Sequence, residues 1–67
     1  MPFIQVEMLR GRTLAQRRAF ALAVTKAAVE HLGVSPGSVR IRFVELAPED
    51  LARGGLLASD ADPHRCD

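Results

Sequence analysis

Apolar and polar positions alternate from Phe3 to Leu9. Ile4, Val6 and Met8 fall on one face, with Gln5 and Glu7 on the other. That period of two predicts a half-buried strand. Arg10-Gly11-Arg12 ends it as a turn. Thr13 is then a good helix N-cap, and Gln16, three residues on, completes a capping box. From about Leu14 to Leu32 the spacing becomes helical, with Phe20, Val24, Ala28 and Leu32 on one stripe. The many alanines favour helix, and Gly33 is the expected C-cap. Leu22 and Val29 fall on a different side, so the helix expects cover from a second subunit or carries scattered surface residues. After a turn at Ser35-Pro36-Gly37-Ser38, alternation returns from Val39 to Leu46. Val39, Ile41 and Phe43 point one way; Arg40, Arg42, Val44 and Leu46 point the other.

Strand, long helix, strand predicts an α+β chain built on a single β-α-β unit. Its strands should be parallel, with a right-handed crossover. One helix covers one sheet face, so Arg40 and Arg42 are expected on the uncovered face, toward water or another subunit. Ala47 to Leu51 reads as a turn or short helical piece. Gly54-Gly55 suits a tight hairpin before Leu56-Leu57-Ala58. A two-stranded sheet is marginal, so this short third strand is expected to pair with a neighbouring chain. The organised domain should span 1–59, followed by a polar, disordered tail over 60–67.

Size adds a constraint. A chain of 67 residues makes one domain with a small core. Such domains usually need disulfides, metal or oligomerisation. Cys66 is the only cysteine, which excludes a disulfide within one chain. His31, His64 and Cys66 show no metal-ligand spacing. Oligomerisation remains. The lone cysteine and the missing secretory pattern suggest the cytoplasm, and no apolar run approaches the roughly 20 residues of a membrane span. The net charge of +1 hides an asymmetry: seven of nine basic residues lie at or before Arg42, and six of eight acidic ones at or after Glu45. A basic body suits an anionic ligand. Nucleic acid suits it less, because Tyr and Trp are absent for stacking.

Few residues carry candidate chemistry. Removal of Met1 would free the secondary amine of Pro2. An α-amino group titrates near about 7.7–8.0, and burial beside positive charge would lower it toward use as a base. Phe3 and Ile4 offer the apolar pocket, and four arginines in the first eighteen residues offer the charge. The alternative is that Met-Pro is an ordinary start. Arg12 sits before a helix N-terminus, where the macrodipole is already positive. It either binds an anion there or is solvated on its turn; Arg10, Arg17 and Arg18 read as solvated. Arg40 and Arg42 admit the reading of an exposed, charged sheet face. No nucleophile triad and no phosphate loop stand out.

Taken together, these residues form a known pattern. Pro2 after Met1, the strand Phe3-Ile4-Gln5-Val6, Gly11-Arg12-Thr13 before a long helix, Ser38-Val39-Arg40 opening the second strand, and Gly54-Gly55 are spaced over some sixty residues. From Pro2 to about Ser59 the chain resembles the short subunits of the 4-oxalocrotonate tautomerase family. The resemblance implies the tautomerase (MIF-like) fold and a homohexamer built as a trimer of dimers. It implies that Pro2 is the catalytic proline whose nitrogen moves the proton. Arg40 then matches the arginine that polarises the substrate's oxo group and binds the nearby carboxylate, reaching in from a neighbouring subunit. Arg12 matches the arginine that holds the remote carboxylate. Leu51 stands where well-studied members carry phenylalanine in the apolar wall around the proline, as it does in homologues from pathways such as those making pyrrolobenzodiazepine antibiotics.

The resulting expectation is an isomerase that needs no cofactor and no metal. It would interconvert keto and enol forms of a small unsaturated 2-oxo or 2-hydroxy acid, such as the dicarboxylate 2-hydroxymuconate. Pro2 would act as general base and then general acid, while Arg12 and Arg40 neutralise carboxylate and oxyanion with bidentate geometry. A hydratase or dehalogenase of the same superfamily would instead need Glu49, Asp50 or Glu7 to activate water. A noncatalytic, oligomeric anion-binding module is the third reading. Neither nucleic acid nor a membrane is expected as a partner.

Overall fold

The computed structural model describes residues 1–61. Strand β1 runs over Phe3–Leu9, helix α1 over Leu14–Leu32, and strand β2 over Arg40–Leu46. The two strands are parallel, in a register that pairs Phe3 with Arg40, Gln5 with Arg42 and Leu9 with Leu46. A 3-10 turn at Pro36–Ser38 leads into β2. Strand β2 begins at Arg40, one residue later than the alternation suggests. The Val39 N–H is already spent on the Pro36 carbonyl at 3.2 Å, and it closes that turn.

The helix ends where its caps dictate. The Gln16 N–H donates to Thr13 Oγ1 at 3.1 Å, and the Thr13 N–H donates to Gln16 Oε1 at 2.9 Å. This reciprocal pair satisfies two of the donors that a helix start leaves open. At the other end Gly33 takes the left-handed conformation, φ 67°, and its N–H bonds to the Val29 carbonyl. A side chain there would be strained.

The face that α1 turns inward is shifted from the predicted stripe. Arg17, Ala21, Val24, Thr25 and Val29 are half-buried and Ala28 is buried, whereas Phe20 and Leu32 are largely exposed. The helix is apolar nearly all round, so its sequence carries little information on rotational phase. Packing against the sheet settles the phase instead. Arg17 lies with its guanidinium 5.9 Å from the Phe43 ring centroid and pairs with Glu45. Phe20 meets Phe43 edge to face, with ring centroids 6.1 Å apart. Arg17 is therefore a packing residue, not the solvated side chain that its sequence position suggests.

Beyond β2 the chain makes a 3-10 turn at Pro48–Asp50. It then forms an antiparallel hairpin of β3, Ala52–Arg53, and β4, Leu56–Leu57. Gly54 and Gly55 both have positive φ, 61° and 84°, as a tight two-residue hairpin loop requires. The third segment thus pairs with β3 of its own chain. The glycine pair makes the local return cheap. Asp60, the first residue of the expected tail, belongs to a further 3-10 turn, Ala58–Asp60; residues 62–67 of that tail lie outside the described residues.

Among the described residues Ala28 alone is buried. Phe3 is 75% exposed and Leu22 72%. Leu14, Phe20, Leu32, Leu51 and Leu56 are also largely exposed. Val29 and Leu46, expected on the surface, are half-buried. Covering one such large side chain is worth about 1.5–3 kcal/mol. Single domains rarely leave so much apolar area in water.

Candidate active site

The four residues singled out in the sequence do not meet within one chain. They divide into two pairs at opposite ends of the β1–β2 ladder. Pro2 and Arg40 stand at its start. Pro2 is half-buried, and its carbonyl accepts the Arg40 backbone N–H at 3.1 Å. Arg12 follows the far end of β1. Leu51 lies beyond the same end of β2, where the Arg10 N–H reaches the Leu46 carbonyl at 3.0 Å and Arg10 faces Glu49 at 3.7 Å. Six strand steps separate the two ends, about 20 Å. No small acid spans that distance.

Each end has its own hollow. At the start of the ladder a depression of 220 Å³ is lined by Phe3, Ile4, Gln5, Arg40, Ile41 and Arg42. Between sheet and helix a second one, of 260 Å³, has Val6, Met8, Phe20 and Phe43 for walls and Arg12, Gln16 and Arg17 at its polar side. Arg12 and Arg40 both have exposed side chains, and among the described residues neither is ion-paired. Both are therefore free to take an anion from solution. The second hollow also holds Arg17, whose Nε is buried without a hydrogen-bond partner. Arg17 escaped notice in the sequence, although Phe43 and Glu45 share one face of β2 two residues apart and could have pointed to it.

The carboxylates considered for water activation are mostly engaged. Glu49 faces Arg10, and Asp50 Oδ2 accepts the Ala47 N–H at 3.3 Å. Glu7 is exposed on the sheet face opposite the helix, with no ion pair among the described residues. Among the described residues no group of three His, Cys, Asp or Glu side chains is placed to hold a metal ion, and no helix is long and apolar enough to cross a membrane.

The profile of the tautomerase enzyme family matches residues 2–61, starting on Pro2 itself. The chain belongs to this family. Membership makes it an isomerase. The 2-hydroxymuconate tautomerase of Pseudomonas putida is 37% identical over 60 residues, covering 90% of this chain and 95% of that protein. A solved 4-oxalocrotonate tautomerase isozyme from Methylibium petroleiphilum is 41% identical, with a TM-score of 0.84 over 87% of this tautomerase and 91% of that chain. TomN, a 4-oxalocrotonate tautomerase homologue in the tomaymycin biosynthetic pathway, is 36% identical with a TM-score of 0.83, covering 87% of this chain and 89% of its own. A heterohexameric 4-oxalocrotonate tautomerase from Chloroflexus aurantiacus J-10-fl is 27% identical with a TM-score of 0.86, covering 92% and 100%. The β-α-β unit with parallel strands and a closing hairpin is the fold of these proteins.

Proposed function

We propose that this protein is a cofactor-independent tautomerase of small unsaturated 2-hydroxy and 2-oxo acids, 2-hydroxymuconate among them, working through Pro2. The observation that carries the reading is the setting of Pro2. It heads an apolar strand, is half-buried, and is held by the Arg40 main chain, while its nitrogen stays outside the strand ladder. With Met1 removed, that nitrogen takes the proton from the dienol hydroxyl and returns one to carbon.

The roles of the arginines follow from where charge sits. Arg40 stabilises the oxo group, whose charge grows in the transition state, and binds the adjacent carboxylate. Arg12 holds the remote carboxylate, and Leu51 supplies an apolar wall. Because about 20 Å of strand separates Pro2 from Arg12 in one chain, a working site needs Arg12 and Leu51 from another copy. Arg40 reaches in from a neighbouring copy as well. The exposed apolar surface and the heterohexameric relative support a homohexamer. The likeness to TomN supports a place in a biosynthetic pathway.

The test is an assay of 2-hydroxymuconate ketonisation with protein whose mass proves Met1 absent, beside its Pro2→Ala variant. Turnover that disappears with Pro2 supports the reading. Turnover that survives in Pro2→Ala, or anion binding with no turnover in the processed protein, removes it.

A further inference from the structure

Arg42 has no part in the scheme above, yet it shares a hollow with Arg40. The register places Phe3 opposite Arg40 and Gln5 opposite Arg42, so these four side chains stand on one face, two rungs apart. The rung between them, Ile4 with Ile41, forms the floor of the 220 Å³ depression that all six residues line. Residues two apart along a strand lie about 6.6 Å from each other. The two arginine side chains thus leave the strand a short carbon chain's length apart, and both line the same depression. Both side chains are exposed, and neither has an ion pair among the described residues. Glu7 is two rungs beyond Gln5 on the same face, but it forms no ion pair with Arg42.

A copy seated over this face would remove both guanidiniums from water. Desolvating two like charges with no counter-charge is costly, and a dianion between them offsets that cost. Guanidinium binds carboxylate edge-on through two parallel bonds, so two guanidiniums at this spacing accept two carboxylates on neighbouring or nearly neighbouring carbons.

Building on the tautomerase reading, we propose that Arg42 is a specificity-determining residue that pairs with Arg40 to favour short dicarboxylates. The preferred acids carry carboxylates two or three carbons apart, as a four- or five-carbon 2-oxo diacid does. In these short acids Arg40 takes the carboxylate next to the oxo group and Arg42 takes the second one, which in the longer 2-hydroxymuconate falls to Arg12.

Calorimetric titration of the assembled, Met1-free protein with succinate, glutarate, adipate and butyrate tests this. Wild type should bind succinate and glutarate more tightly than adipate or butyrate. Arg42→Ala should cut affinity for the two short diacids about tenfold, the loss of one charged hydrogen-bonding contact, and leave butyrate binding unchanged. Arg42→Lys, which keeps the charge and serves where the alanine variant fails to assemble, should retain part of the preference. An equal loss for butyrate and succinate in Arg42→Ala would reduce Arg42 to a general field and overturn the proposal. So would an undiminished short-diacid preference in either variant. Binding is read without turnover, so the two ideas separate. An Arg42-dependent preference in a protein that turns over no dienol sustains this proposal and removes the tautomerase reading. Proline-dependent turnover with no effect of Arg42 on diacid binding does the reverse.

Discussion

The backbone N–H of Arg40 donates to the carbonyl oxygen of Pro2 at 3.1 Å. It is a main-chain bond, so it fixes the start of β1 against the start of β2 whatever side chain stands at position 40. Replacing Arg40 therefore removes a guanidinium and leaves Pro2 in its place. Arg40→Ala should lower kcat by about 10²–10³-fold, the loss seen when a donor to a developing oxyanion is deleted. Arg12→Ala should mainly raise KM, because the remote carboxylate has the same charge in ground and transition states. Steady-state kinetics on 2-hydroxymuconate check both, and the reverse pattern would exchange the two roles.

Met1 bears on the chemistry directly. While it is attached, the Pro2 nitrogen is a tertiary amide and has no lone pair for a proton. The hydrogen bond to Arg40 uses the Pro2 carbonyl, which processing leaves untouched. Protein that retains Met1 should fold and assemble normally but show no proline-dependent tautomerase activity. Intact mass and assay on one sample decide the matter; full activity in a confirmed Met1-bearing preparation refutes proline catalysis.

Subunit mixing tests the separation of Pro2 from Arg12 along the ladder. Pro2→Ala and Arg12→Ala chains should each be crippled on 2-hydroxymuconate. If a site takes its proline and its Arg12 from different copies, co-assembly at equal amounts restores about a quarter of the sites by random placement. Recovery of kcat/KM toward that level after joint unfolding and refolding is expected. If the mixture never exceeds the mean of its parents, proline and arginine come from one chain.

The local elements were legible because each depends on a few neighbouring residues. Thr13 with Gln16 marks the helix start, Gly33 its end, and Gly54-Gly55 the hairpin, and all three stand as read. The parallel ladder follows from the long crossover. What escaped depends on contacts between elements. The inward face of α1 could not be phased from an all-round apolar pattern; Phe43 and Glu45 on β2 set it by drawing in Arg17. The site is a similar case. Pro2, Arg12, Arg40 and Leu51 can each be picked out by position, but their division between two ends of the ladder appears only once the register is known.

Leu51 gives the sharpest test of the pocket wall. It follows the Pro48–Asp50 turn, is 41% exposed, and is anchored by its main chain, whose carbonyl accepts the Ala58 N–H at 2.8 Å. A different side chain there leaves the turn and the hairpin intact. Leucine in place of an aromatic removes a flat surface and opens space. Lost packing against a planar dienoic acid should weaken binding by about 1–3 kcal/mol if one fitted apolar contact is missing. Extra space should admit a bulkier substrate. Leucine is still apolar and should keep water from the proline, so the proline should keep its function. The processed protein should therefore turn over 2-hydroxymuconate with a deficit only partly in kcat. Leu51→Phe should raise that activity without altering the assembly in sedimentation. A fall in turnover in Leu51→Phe, with assembly unchanged, would mean that position 51 does not face Pro2 of a neighbouring copy.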